Sequence, residues 1–412
     1  MDEYDPNSLP VEIAILSINT AVKPIAGFER VALRSALGRI LATDVASHID
    51  VPTHTNSAMD GYALASADID TEEIVTLKVV GTSWAGRPYL EPVNSGECVR
   101  IMTGAVLPEG TDSVAIQEKV ERVNDVVRVT GREVASGDNV RDAGEDIQSG
   151  AVAVARGCRI GPAQLGLLAS LGVAEVDVVR RLRVAFFSTG DELRSVGETL
   201  DVGTIYDSNR YTLYGMLTEL GAHVIDMGVV RDTREDVEAA FATAAACADA
   251  VITSGGVSVG DADFVKETLE KAGEVNFWKI AMKPGRPLAF GSVGNAVFFG
   301  LPGNPVSVMV TYYQFVQAAL KRMMGETTEA PPRLRARTAD TLKKRSGRME
   351  FQRGILRRTA EGELQVSTTG AQGSGILTSM HEANCFVILA PESEGAAPGE
   401  WVDVEPFNGV VG

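Results

Sequence analysis

Three glycine-rich turns between Val251 and Ser307 stand beside apolar runs. They are Thr253-Ser254-Gly255-Gly256-Val257-Ser258-Val259-Gly260-Asp261-Ala262-Asp263, Met282-Lys283-Pro284-Gly285-Arg286-Pro287 and Gly300-Leu301-Pro302-Gly303-Asn304-Pro305-Val306-Ser307. Glycine has no Cβ and opens positive φ, so such turns let the backbone approach a ligand closely. Their N–H groups cradle a phosphate or another oxyanion. Lys279, Lys283 and Arg286 are interleaved with these turns, as are Asp261 and Asp263. Cations hold an anion in place, and carboxylates beside it point to a divalent metal. The chemistry is that of an enzyme acting on a phosphorylated or oxyanionic substrate with a metal.

Other loops carry the same residue types, each with a plainer alternative. Asn56-Ser57-Ala58-Met59-Asp60-Gly61-Tyr62-Ala63 is either an ordinary Asp-Gly turn or a loop presenting Asp60 to a metal. Thr103-Gly104-Ala105 ends a strand or offers a hydroxyl to an anion, and Asp207-Ser208-Asn209 caps a helix or joins a site. Asp261 is placed to cap a helix, which leaves Asp263 for other work. The basic residues from Arg333 to Arg358 read as a solvated face, with substrate steering as the alternative. A Walker-type G-x-x-x-x-G-K-[ST] is absent, and no strand–GxGxxG–helix unit supports a dinucleotide site.

The elements that must position these residues follow from periodicity. Residues 8–45 read as helical, from Val11, Ile15 and Ile18 and then Val31, Leu33, Leu37 and Leu41. Short β-branched runs at 74–80, 98–102, 114–116 and 126–129 mark a β-rich insert. From Arg183 the rhythm is strand, loop, helix. Strands are expected at 183–188, 222–230, 250–253 and 296–299, and helices at 209–220, 233–247, 263–272 and from Pro305 to about Met323. Asp232 with Glu235 resembles a capping box. This alternation implies a mainly parallel, doubly wound sheet, whose ligands bind at the carboxyl ends of the strands. After Ala330-Pro331-Pro332, short β runs predict a small barrel. The expected organisation is an elongated mixed first region at 1–48 and 147–178, the insert at 49–146, the α/β unit at 179–329 and the barrel at 330–412.

At 412 residues the chain has room for several cores. Its net charge of −17 argues against nucleic acid or an anionic membrane as a general partner, and makes local basic clusters informative. Cys98, Cys158, Cys247 and Cys385 form no CxxC pair, and the histidines share no ligand spacing, so zinc is not expected. Without a signal-peptide pattern or an apolar run near roughly 20 residues, a cytoplasmic location is expected.

Together the motifs resemble the molybdopterin molybdenumtransferase family (MoeA-type proteins and the gephyrin E domain) over essentially the whole chain. The resemblance rests on Ser57 to Ala63, Arg100-Ile101-Met102-Thr103-Gly104-Ala105, Gly144-Glu145-Asp146-Ile147, Ser188-Thr189-Gly190-Asp191-Glu192-Leu193, Ser254 to Gly260, Lys283-Pro284-Gly285 and Leu301 to Ser307. The family's Gly-Lys-Pro is here Gly285-Arg286-Pro287. The resemblance implies an elongated homodimer of four-subdomain chains with composite active sites. It also implies that molybdate and adenylylated molybdopterin react with Mg²⁺ to give molybdenum cofactor and AMP. A molybdopterin adenylyltransferase would stand upstream. Carried over by motif, Asp60, Thr103, Glu192, Asp232 and Asp263 are catalytic, and Asp60, Asp146, Glu192 and Asp263 hold metal. Arg141, Gly255, Gly256, Ser258, Lys279, Lys283, Arg286, Pro302 and Ser307 bind substrate. A tungstate-inserting homologue, a phosphate-transferring enzyme sharing only the α/β unit, and a gephyrin-type scaffold are the alternatives.

Overall fold

The structure, a computed structural model, describes residues 7–70, 73–256, 268, 273–327 and 330–407. Its centre is a six-stranded sheet in the order His223–Val230, Arg183–Thr189, Ala250–Ser254, Ala296–Leu301, Pro287–Val293, Gly273–Lys279. The first four strands are parallel. The last two run as antiparallel neighbours and lie outside the strands expected from the sequence. Gly273–Lys279 alternates polar and apolar residues at the sheet's edge, a weaker signal than the buried apolar runs of the centre.

Helices cover both faces. Ser208–Leu220 and the helical run 305–323 bury Leu213, Leu217, Val306, Val308 and Tyr312 on one side. The run is α-helical at Pro305–Thr311 and Gln317–Met323, with a wider π turn between them. Arg234–Cys247 covers the other face, where Phe241 packs edge-on against Phe187 and Phe298 with ring centres 5.2 and 5.5 Å away. Gly221 ends the helix Ser208–Leu220 in the left-handed conformation, φ 91°, as its sequence position predicts.

The helix at the amino end stops at Ala21 and buries Val11, Ala14 and Ile18 in the core beneath that sheet. The helical reading of the following residues fails. Phe28–Ala32 is a strand, antiparallel to Glu175–Val179 and tied to it by a two-pronged Arg30–Asp177 ion pair at 2.8 and 2.9 Å. Cross-strand pairing decides this segment, although Val31, Leu33, Leu37 and Leu41 mimic helical spacing.

The β-rich insert is a six-stranded sheet ordered Ser113–Ile116, Gly61–Leu64, Glu97–Ile101, Ile74–Ser83, Val126–Thr130, Glu121–Val123. The carboxyl-terminal strands Met349–Arg358, Leu364–Thr368, Leu334–Thr338, Trp401–Pro406 and Cys385–Leu389 close on themselves as a barrel. The short strand Met282–Lys283 leaves the α/β unit and pairs with Met349–Glu350 of the barrel, which fixes the two bodies against each other. Among the described residues no helix is long and apolar enough to cross a membrane.

Candidate active site

Between the glycine-rich turns and the barrel lies a cavity of about 490 Å³. Gly255 and Gly256 enter it from the end of strand Ala250–Ser254, and Pro302, Gly303, Asn304 and Ser307 from the end of Ala296–Leu301. The segment Met282 to Pro287 supplies Lys283 and Arg286. The fold thus brings six of the expected substrate residues, Gly255, Gly256, Lys283, Arg286, Pro302 and Ser307, to one wall. Gly255 sits at φ +89°, and a Cβ there would lie 2.6 Å from the Thr189 carbonyl oxygen. Only glycine lets these neighbouring strand ends close so tightly.

Polar groups crowd the floor beneath the turns. Asn209 donates from Nδ2 to Ser254 Oγ at 2.8 Å and to the Gly303 carbonyl at 2.7 Å, locking two of the turns together. Asp207 caps its helix by accepting from the Arg210 N–H, which settles one of the plainer alternatives. Buried oxygens of Ser188, Thr189, Asp207, Asn209 and Thr253 have no hydrogen-bond partner among the described residues. Buried polar atoms are ordinarily paired. This grouping at the strand ends fits a site that receives a polar ligand or cation.

A second group lies at the ends of Arg183–Thr189 and His223–Val230. Burial raises the Asp232 carboxyl above its ordinary range, and the charges of Asp191 and Glu192 add to the effect. Asp232 is not the helix cap expected of it: Thr233 has the extended backbone of an N-cap and its Oγ1 accepts from the Asp236 N–H. Backbone geometry selects the neighbouring hydroxyl, so Asp232 remains available for other contacts. Like-charged carboxylates held together favour a divalent cation. Among the described residues no three Asp, Glu, His or Cys are close enough to hold a metal by themselves.

The third group is on the insert. Register places Ser83, Ile101, Gly61 and Ile116 in one row across its sheet. The residues just beyond that row, Trp84, Thr103, Asp60 and Gln117, therefore share one end. Asp60 Oδ1 accepts from the Thr103 N–H at 2.7 Å and from Thr103 Oγ1 at 2.8 Å. These bonds, first from the backbone and then from the hydroxyl, hold the exposed Asp60 carboxyl below the usual carboxylate range. Asp60 is an anchored, ionised carboxylate, a stronger arrangement than a bare Asp-Gly turn.

The remaining expected residues are more scattered. Arg141 is exposed on the strand paired with Asn56–Ser57, close to the Asp60 loop. Asp146 is exposed at the insert's base, where its N–H bonds the Val51 carbonyl. Lys279 ends the edge strand and is not among the residues lining the cavity. Ser258 and Asp263, with Asp261 and the helix expected at 263–272, lie outside the described residues, except for Thr268, which is helical. Among the described residues, the cavity is lined by no residue of the insert.

The barrel contributes Arg348, from the basic run expected to be a solvated face or to steer substrate, and a loop the sequence reading did not single out. Arg348, Gln372, Gly373 and Ser374 complete the cavity wall. Arg353, fully buried, donates from Nε to Ser379 Oγ and from Nη2 to the Gly373 carbonyl, each at 3.1 Å. Its N–H bonds Gln372 Oε1 at 2.8 Å, so one arginine fixes the 372–373 wall from behind. Burial pushes its guanidinium down to about 10, still charged at neutral pH. A dense basic segment near a Gly-Ser loop was the available signal.

Three family profiles match in order: the MoeA N-terminal region (domain I and II) at residues 9–172, a probable molybdopterin binding domain at 185–322, and the MoeA C-terminal region (domain IV) at 335–407. A Haemophilus influenzae protein named molybdopterin molybdenumtransferase is 47% identical over 386 residues, 93% of this chain and 95% of its own. A Nostoc protein of the same name is 36% identical over 370 residues, 88% of this chain and 84% of its own. The crystal structure of the molybdopterin biosynthesis moeA protein from Pyrococcus horikoshii superposes with a TM-score of 0.85 at 29% identity, covering 97% of this chain and all of that one. With its cavity built from the matched segments, the chain belongs to the MoeA-type molybdopterin molybdenumtransferase family.

Proposed function

We propose that this protein inserts molybdate into adenylylated molybdopterin, releasing AMP and forming molybdenum cofactor. The observation that carries the reading is the cavity at the strand ends, lined by Lys283, Arg286 and Arg348 in a chain of net charge −17. Molybdate is a tetrahedral dianion. Glycine-rich backbone and converging cations suit it, and a narrow cleft between two bodies concentrates their field.

Each group of residues has a distinct part. Lys283, Arg286 and Arg348 bind the oxyanions and offset their mutual repulsion. Gly255, Gly256, Pro302 and Ser307 shape the pocket, while Asn209 and Arg353 hold its walls. Asp60, kept ionised by Thr103, and the Glu192–Asp232 group present negative charge to a cation beside the anhydride. Mg²⁺ fits that chemistry, since it takes few protein carboxylates and completes its shell with substrate phosphates and water; Asp60, Asp146, Glu192 and Asp263 would hold it. When bound it supplies neutralisation of the charge that develops as the anhydride P–O bond breaks and AMP departs.

The site is further proposed to be composite. The Asp60–Thr103 end of the insert exposes Met59 and Trp84, and the segment after Glu192 exposes Val196, Leu200, Val202 and Ile205. A second copy of the chain would cover both surfaces at once and bring the insert's carboxylate to the α/β unit. The reading is tested by incubating the pure protein with adenylylated molybdopterin, Mg²⁺ and molybdate. Cofactor and AMP should appear together, and neither should form from non-adenylylated molybdopterin.

A further inference from the structure

The basic residues between Arg333 and Arg358 divide into two kinds. Arg333, Arg335 and Arg337 are each ion-paired, with Glu405, Asp403 and Glu363. They behave as a solvated barrel face. Lys343, Lys344, Arg345 and Arg348 instead surround a second concavity of about 380 Å³, together with Lys283, Ser346 and Glu350. Five cations face one carboxylate there. Lys283 and Arg348 line both this annex and the main cavity, so the two spaces adjoin at the same pair of side chains.

The annex is held open by its scaffold. Leu342–Lys343 pairs with Gly395–Ala396, and the Lys343 carbonyl accepts from Gln352 Nε2 at 3.0 Å. The Gly347 N–H reaches the Pro391 carbonyl at 2.7 Å. Lys344 Nζ donates to the carbonyls of Arg345, Pro391 and Ser393 at 3.1, 3.0 and 2.9 Å, so its three protons brace the loop. Glu350 is engaged too, by Gln352 Nε2 at 3.0 Å and Lys283 Nζ at 3.5 Å. Lys343 and Arg345 make no ion pair among the described residues and are exposed on the fixed loop. The backbone that carries them is already fixed, so the loop need not be ordered when an anion arrives.

The geometry points to a second oxyanion subsite in this annex, taking a phosphate group while the main cavity holds another tetrahedral oxyanion. Its use is electrostatic. Two oxyanions brought side by side repel, and the shared cations Lys283 and Arg348 offset part of that repulsion. A substrate carrying phosphate could then sit beside molybdate without displacing it. The annex itself rests on the loop's geometry; only the identity of its phosphate rests on the proposed function.

The probe is inorganic phosphate, titrated into the full-length protein by calorimetry and equilibrium dialysis, with a parallel titration of molybdate. Two equivalents of phosphate per chain are expected. Lys343→Glu combined with Arg345→Glu should remove one equivalent, keep the other within about twofold of its wild-type affinity, and leave the melting temperature unchanged. Should that variant fail to fold, Lys343→Ala with Arg345→Ala carries the same expectation with a weaker loss. A single equivalent in the wild type, or two retained in the folded variant, overturns the subsite. One molybdate but two phosphates per chain would reserve the annex for substrate phosphate; two of each would make it also a waiting place for molybdate. These counts need no turnover, so an inactive protein that binds two phosphates would sink the proposed reaction and leave the annex standing.

Discussion

Replacing Gly255 by alanine tests whether the turn beneath the cavity is as close-packed as the structure describes. Two costs are separable. Alanine at φ +89° is strained by about 1–2 kcal/mol, because its Cβ crowds the following carbonyl. The new Cβ would also stand 2.6 Å from the Thr189 carbonyl oxygen, where real contacts essentially never fall below 3.0 Å. At least 0.4 Å of movement is needed, 3.0 minus 2.6, and the obstacle is backbone in the central sheet rather than a flexible side chain. Overpacking of this kind typically costs about 1–3 kcal/mol, for a total of about 2–5 kcal/mol. Gly362 supplies the control, since it has the same φ of +89° and no atom within 4 Å of the point its Cβ would occupy. Gly362→Ala should show the strain alone, and the excess in Gly255→Ala measures the close approach. Equilibrium unfolding in urea gives both values, and molybdate titration should show weakened binding only in Gly255→Ala. Equal destabilisation in the two variants, with unaltered molybdate binding, would refute the close-packed turn and its place in the cavity wall.

Other expectations follow from the remaining contacts. Thr103→Val removes the hydroxyl donor to Asp60 and leaves the backbone N–H, so product formation should fall roughly tenfold with an unchanged melting temperature; carbon-detected NMR should show the Asp60 pKa rising. Burial alone would raise Asp249, but hydrogen bonds from Arg180 and Arg183 outweigh it and bring it from 3.8 to about 2. A depressed carboxylate stabilises the fold above its unfolded pKa and loses that contribution as pH falls through the folded value. Asp249→Asn should therefore cost at most about 2 kcal/mol at neutral pH, less the screening at half-exposed Arg183, and the difference from wild type should vanish between pH 3.8 and about 2. Asp60→Ala and Asp263→Ala, each inactive alone, should recover roughly a quarter of wild-type activity when co-refolded, because half the dimers are mixed and each has one intact site. No recovery in a preparation containing mixed dimers would place each site within one chain.

Much of this architecture was legible in the sequence, and what was missed has physical causes. The Gly- and Pro-punctuated turns sit where expected because φ requirements are local: Gly221, Asn304 and Pro305 mark helix ends whatever surrounds them. The strand Arg183–Thr189 declares itself by an uninterrupted apolar run, buried throughout after its first residue. Phe28–Ala32 misleads because pairing with a strand almost 150 residues away decides its conformation. The Asp60 turn could not disclose its partner from local chemistry, since Thr103 lies 43 positions on. Gln372 and Ser374 were missed, and Arg348 was not told apart from its basic neighbours, for a related reason: they reach the cavity only because Met282–Lys283 docks the barrel onto the α/β unit. Lys279 groups with Lys283 by nearness in sequence; it is paired in register with Pro287, which lines the cavity, without lining it itself.

The most direct test of the central claim is the molybdate dependence of AMP release in wild-type protein and in Lys283→Ala. Lys283 lines the cavity with its ammonium half exposed, so its loss should spare the fold and weaken the hold on the anion. The expected result is AMP and cofactor formed in equal amounts by the wild type, with the variant needing at least tenfold more molybdate for half-maximal rate at an unchanged melting temperature. An identical molybdate dependence in the two proteins, or AMP release that ignores molybdate altogether, would contradict insertion in this cavity.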